Sequence, residues 1–235
     1  MKRGSVYFRF AFFVFFFIVI AGVVFCFIDR IAAFSINHLT DYRIFYDKWG
    51  SSPFNRSDIQ DLRFDVLKNG FAVTAKTAHF DLRFRESINA RKLILDCRLQ
   101  DVRFLRNSGS SDPATQSMFT VPFDPDWHYI SIVFSIIYGG GDLKIKGFRA
   151  LADDIKLNGE SQLNNASGDF KVDLKMSVSP QIAEVLMGDF REILLVPEEN
   201  GWFGTKMSLE GNVKEETFHM KSETLEIRIR SKEEV

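Results

Sequence analysis

Beyond residue 42 apolar and polar residues alternate mostly with period two, the periodicity of strands that bury one face. Leu62, Phe64 and Val66 are interleaved with Arg63 and Asp65, and Asn69-Gly70 follows, a pair suited to a type I′ hairpin. A two-residue turn there sets Val66 opposite Val73 and Phe64 opposite Ala75, and Phe71 joins the same apolar set. The next hairpin sets Phe84 against Leu93, Leu82 against Leu95, Phe80 against Cys97 and Ala78 against Leu99. Arg83, Arg85, Lys92 and Arg98 then fall on the other face, with Ile94 an exception and Asp81 facing Asp96. Later pairings put Leu157 opposite Phe170, Ile155 opposite Val172, Leu151 opposite Met176, Leu209 opposite Phe218 and Met207 opposite Met220. The last strand, Leu225 to Arg230, also alternates.

The apolar parity flips near Lys76-Thr77 and again near Gln100-Asp101. One face stays inside across a flip only through a bulge or a bend, and repeated bends curl a sheet. Asp61-Leu-Arg-Phe64, Asp81-Leu-Arg-Phe84 and Asp101-Val-Arg-Phe104 recur at even spacing. Any alternating strand generates some such likeness, while the regular spacing favours a repeated structural unit. Two segments depart from the pattern. Residues 106–127 form a polar, Pro-containing loop. Ser179-Pro180 reads as N-cap and first residue of an amphipathic helix over 180–195, with Ile182, Val185, Leu186 and Phe190 on one face, suited to a partner. The expected fold class is mainly β: a curved antiparallel sheet forming a groove, with one amphipathic helix near the C-terminus.

The first segment obeys a different rule. Lys2, Arg3 and Arg9 precede an uncharged stretch over residues 10–28, which as a helix spans about 28 Å, close to a bilayer's hydrocarbon core. No small-x-small cleavage site follows it, so the expectation is an uncleaved transmembrane signal anchor. The positive-inside rule leaves 1–9 in the cytoplasm and exports 29–235. Of the 235 residues, 30 are Lys or Arg and 31 Asp or Glu, and the net charge of −1 lacks the basic footprint of a nucleic-acid binder.

Candidate chemistry is sparse. Two cysteines exclude a four-thiolate zinc site, and Cys26 in the anchor and Cys97 on the apolar face are expected to be inert thiols. Gly139-Gly-Gly-Asp142 has a phosphate loop's glycines without its Gly-Lys-Ser/Thr, and reads as a hairpin turn. His79 is expected on the polar face as a solvated side chain. Asp124-Pro-Asp126 lacks the other oxygen ligands of a calcium loop. No catalytic, metal or cofactor constellation emerges, and an enzyme is not expected.

With its amino-terminal anchor, Asp58-Ile-Gln-Asp-Leu-Arg-Phe64, Ala78-His-Phe-Asp-Leu-Arg-Phe84, Leu93-Ile-Leu-Asp-Cys-Arg-Leu99 and Gln100-Asp-Val-Arg-Phe104, the chain resembles AsmA-like proteins of the bacterial envelope. That group is similar to bridge-like lipid-transfer proteins, which fold an antiparallel sheet into a taco with an apolar inside. The type II secretion subunit N family and the bitopic lipopolysaccharide-transport proteins share the outline of an anchor and an exported sheet.

The resemblance implies a single-pass bacterial inner-membrane protein whose periplasmic groove binds or passes phospholipid acyl chains. Leu62, Phe64, Val66, Phe71, Val73, Phe80, Leu82, Phe84, Leu93, Leu95 and Leu99 would line that groove. Two alternatives stand beside it. The same residues would also fill an ordinary sandwich core, and the chain could be a structural subunit of a secretion or envelope machine, meeting envelope proteins through the 106–127 loop or the 180–195 helix.

Overall fold

The computed structural model describes residues 37, 42–51, 56–66, 71–106, 128–187, 195–223 and 226–230. The anchor expected at 10–28, residues 107–127 of the expected loop and residues 188–194 of the expected helix, Phe190 among them, lie outside these. The strands are β1 (Tyr42–Phe45), β2 (Lys48–Ser51), β3 (Arg56–Val66), β4 (Phe71–Leu82), β5 (Leu93–Arg106), β6 (His128–Gly139) and β7 (Asp142–Leu151). They continue with β8 (Ile155–Asn164), β9 (Asp169–Val178), β10 (Val196–Pro197), β11 (Phe203–Asn212), β12 (Thr217–Ser222) and β13 (Glu226–Arg230). Helix α1 (Phe84–Ala90) joins β4 to β5, and α2 (Pro180–Met187) follows β9. Thirteen strands form one open antiparallel sheet in the order β1-β3-β4-β5-β6-β7-β8-β9-β11-β12-β13, with β2 added to β3 and β10 to β11. Nearly every neighbour in the sheet is also the next strand in sequence, which antiparallel pairing through short connections permits.

The alternation fixes which face each residue takes, but turn length fixes register. The β4–β5 register is the expected one: Leu82 faces Leu95, Phe80 faces Cys97, Ala78 faces Leu99, and Asp81 does face Asp96. Phe84 does not pair with Leu93; it opens α1, and Leu93 pairs with Tyr138 instead. The helix is tied back to β5, because Ile94 N donates to Ser87 Oγ (3.0 Å) and Arg83 N to Ile94 O (3.0 Å). Three other registers differ from expectation. Val66 pairs with Phe71 and Phe64 with Val73, Leu157 pairs with Met176 and Ile155 with Val178, and Leu209 pairs with Met220 and Met207 with Ser222.

The two later hairpins turn through four residues rather than two. Asn164 Oδ1 accepts the backbone N–H groups of Ala166 and Ser167, and Asn212 Oδ1 accepts those of Lys214 and Glu215. These side-chain-closed turns set the loop length. All three displacements are even, so each residue keeps its face. Gly139-Gly-Gly-Asp142 is a two-residue hairpin turn, with φ of 66° and 86° at Gly140 and Gly141.

The parity flips are left-handed kinks within an unbroken register. Asp61 and Asp101 have φ of 51° and 53°, the left-handed region that Asp tolerates better than most residues. They flank Lys76: Gln60 pairs with Thr77 and Leu62 with Ala75, then Thr77 with Gln100 and Ala75 with Val102. Leu62 and Val73 below the flip and Leu99 above it pack against one core cluster, so the face is preserved. The Asp-x-Arg-Phe likeness therefore has a structural meaning at Asp61 and Asp101 only. Asp81 lies opposite Arg56 and Asp96 at an ordinary strand position. Register does shift between Val133 and Ser135, and between Ile145 and Phe148, where Gly147 has φ 60°.

The two ends of the sheet differ. At the near end lie Val66, Phe71, Leu151, Ile155, Val178 and Phe203, and β1 enters there, with Tyr42 opposite Val66. Asn37 mimics a neighbouring strand for β1: its Oδ1 accepts Ile44 N (2.6 Å) and its Nδ2 donates to Ile44 O (3.2 Å). Val102, Tyr129, Ile155, Leu157 and Val178 are essentially inaccessible, and Phe104 meets Tyr129 edge-on at 5.6 Å. Helix α2 starts at Pro180 as the sequence requires, with Ser179 Oγ accepting Ile182 N at 3.4 Å and Ser179 O accepting Ala183 N at 2.9 Å. Ala183 and Leu195 complete this core.

Glycine is required where β11 and β12 approach closely beside their turn. A Cβ on Gly211 would lie 2.0 Å from Thr217 O and 3.1 Å from a Phe170 ring carbon. Gly211→Ala is expected to cost about 1–3 kcal/mol, because backbone must move. Thermal melting of the full chain checks this, and an unchanged Tm would show that the close approach is not enforced.

Candidate functional site

The sheet has two chemically distinct faces, and the apolar one is the candidate site. Leu62, Val73 and Leu99 are half-buried against the core cluster. Phe64 is half-buried and stacks on Tyr42 with centroids 5.3 Å apart. Phe80, Leu82 and Leu95 are half-buried farther along, towards the far end. Val66 and Phe71 are paired in the strands, while their side chains lie outside the described residues. Leu93 is 46% exposed at the start of β5, and Phe84, now helical, is 52% exposed. Of the helix residues expected to face a partner, Ile182 packs against the core cluster instead. The side chains of Val185 and Leu186 lie outside the described residues, as does Phe190 altogether.

Several residues share this face without having been singled out from the sequence. Phe134, Ile136 and Tyr138 on β6 follow Cys97, Leu95 and Leu93, and Leu143 and Ile145 on β7 follow Tyr138 and Ile136. Strand β6 hides its facing because Ile130, Val133 and Ile137 make its other side apolar too. Leu174 and Met207 pair across β9 and β11, Leu209 faces Val172, Met220 faces Ile227, and Phe170 meets Phe218 at 5.8 Å. Across the eleven strands of the main path the face extends about 48 Å at the usual strand spacing. It is closed at the near end. Towards the far end it opens, where Leu93, Tyr138 and Phe218 are 46%, 47% and 39% exposed.

Away from the apolar strip of Ile94, Ile130, Val133 and Ile137, the other face is polar and internally paired. Arg83 Nε donates to Asp96 Oδ2 (2.6 Å) and its Nη1 to Glu86 (3.3 Å), while Ser135 Oγ donates to Asp96 Oδ1 (2.5 Å). Burial opposes ionisation of Asp96, yet the bonds from Arg83 and Ser135 hold its carboxyl below the usual range. The stability this adds is complete above the ordinary carboxylate range and disappears as pH falls through the depressed value. His79 is on this face as expected and bonds Asp58 through Nδ1; that bond, with Arg56, lowers the Asp58 pKa. Ser135 is thus committed to Asp96 and His79 to Asp58. A concavity of ≈ 440 Å³ over this face is lined mainly by Arg56, His79, Asp81, Arg83, Asp96 and Arg98. A wider one, ≈ 720 Å³, is rimmed by Lys175, Lys206, Lys221, Glu160, Asp173 and Glu223.

Among the described residues no group of three His, Cys, Asp or Glu side chains is placed to hold a metal ion. Cys97 is buried opposite Phe80, and burial pushes its thiol up to about 12, which leaves it protonated and unreactive at neutral pH. Among the described residues no helix is long and apolar enough to cross a membrane. Comparison of the chain with protein-family models, with curated proteins and with solved structures gave no match.

Proposed function

We propose that this chain is an anchored protein of the bacterial inner membrane whose exported sheet binds or transfers phospholipid acyl chains along its apolar face. The observation that supports the reading is the graded exposure of that face. One open sheet carries it, closed by α2 and Leu195 at one end and half-exposed at the other. Exposing an acyl methylene to water costs about 0.8 kcal/mol, so a chain leaving a bilayer needs a continuous apolar surface. Phe80, Leu82, Leu95, Ile136 and Ile145 supply such a surface from adjacent strands, without charged side chains among them. Movement along it exchanges one apolar contact for another, which keeps each step nearly neutral. The left-handed residues Asp61 and Asp101 serve this function by keeping the face continuous through each parity change.

Native mass spectrometry of the full chain after mild detergent extraction tests the proposal. A phospholipid adduct is expected, and Leu82→Gln should deplete it while leaving thermal melting nearly unchanged. Arg98→Gln, on the opposite and exposed face, should do neither. Arg98 is a cleaner control than Arg83, whose ion pairs to Asp96 and Glu86 would be broken. Unchanged lipid with retained melting of Leu82→Gln would remove the groove. A wild-type chain free of lipid would favour the structural-subunit reading, to which one feature also lends support: β13 has a single strand neighbour, β12, among the described residues. An open strand edge is a template for pairing with another chain.

A further inference from the structure

The far end of the sheet presents apolar and basic groups together. Phe84 and Ile88 stand four residues apart on α1, hence on one helical face, and are 52% and 60% exposed. None of the residues of α1 is buried. Beside the helix, Leu93 and Tyr138 are cross-strand partners and the last residues of the apolar face, 46% and 47% exposed. Four large apolar side chains at one end of a sheet, each about half in water, are a cost with no return inside this chain.

Their polar neighbours include three exposed cations outside the Arg83 ion pairs. Arg85, Arg91 and Lys92 are exposed around them, and the Lys92 stem lies against Gly139, where a Cβ would come within 2.7 Å of Lys92 Cγ. Of the nearby carboxylates, Glu86 and Asp96 are engaged with Arg83 and Asp142 with Asn164 Nδ2 at 3.0 Å, while Asp81 lies in β4 between Arg56 and Asp96. The acidic turn at Glu215 and Glu216 is five strand spacings from β5, about 24 Å, well beyond the Debye length at physiological salt. An aromatic and aliphatic tip ringed by Arg and Lys is complementary to one kind of surface, a lipid interface with negative headgroups. There the apolar side chains enter the acyl boundary and the cations reach the headgroups.

We infer that the α1 end of the sheet is a membrane-docking tip that seats on an anionic bilayer. The tip is opposite the end at which β1 enters, separated from it by the length of β5, whose 14 residues span about 46 Å when extended. The bilayer it meets is therefore at the far side of the sheet from the chain's entry. Because Leu93 and Tyr138 end the apolar face, docking places that face's open end against acyl chains. The inference goes beyond lipid carriage and does not depend on it.

Flotation tests the tip. The full chain, held in phosphatidylcholine nanodiscs, is mixed with vesicles of phosphatidylcholine alone or with added phosphatidylglycerol, and empty nanodiscs give the background. Capture by the anionic vesicles is expected, weakening as salt rises. Phe84→Asp with Ile88→Asp should lower capture about tenfold or more, and Arg85→Gln with Lys92→Gln should lower it and flatten its salt dependence. All four positions are exposed, so melting should stay at the wild-type temperature in both variants. Capture that survives the aspartates, equal capture by the two vesicle types, or no capture by wild type would overturn the tip. Lipid content of the same samples reports separately on the apolar face, so loss of one function is distinguishable from loss of the other.

Discussion

Leu157→Ala is expected to destabilise the protein by about 2–5 kcal/mol, lowering Tm by roughly 5–15 °C, whereas Leu95→Ala should cost within about 1 kcal/mol. Both remove the same atoms from the same face of the sheet, and only position differs. Leu157 is 1% exposed, paired with Met176 and Ala150, in a cluster closed by Ala183 and Leu195. Its removal leaves a cavity whose walls cannot collapse. Leu95 is half-buried between Leu82 and Ile136, where the face is open and water or a ligand can fill the space. Denaturant or thermal unfolding of the two variants measures the difference directly. Equal losses would mean that the face is close-packed along its whole length, which is the sandwich-core alternative.

The facing of residues was legible in the sequence and their register only partly so. Alternation alone assigned Phe80, Leu82, Leu95, Cys97 and Leu99 to one side, and the structure keeps them there. It also located the two parity changes, which Asp61 and Asp101 resolve by adopting positive φ. Turn length was not legible, because Asn-Gly pairs and isolated glycines suggest two-residue turns where Asn164 and Asn212 close four-residue ones. Helix α1 was hidden for a related reason. Phe84 continues the parity of Phe80 and Leu82, and nothing in the alternation marks where a strand gives way to a helix. Strand β6 concealed its contribution to the face because it is apolar on both sides, so that Phe134, Ile136 and Tyr138 carry no alternating signal. The tip at Phe84, Ile88, Leu93 and Tyr138 needed coordinates, since exposure and not residue type sets it apart.

Site-specific photocrosslinking tests the central claim most directly. A benzoylphenylalanine placed at Leu95 projects from the apolar face, and one placed at Arg98 projects from the polar face three residues along the same strand. Irradiation of membranes containing the full chain should attach phospholipid to the Leu95 probe and not to the Arg98 probe, an all-or-none contrast between positions within about 10 Å of each other along β5. Mass spectrometry of the purified chain identifies the adduct. Lipid attached at Leu95 alone is the result the account predicts; lipid at both positions, or at neither, would contradict it.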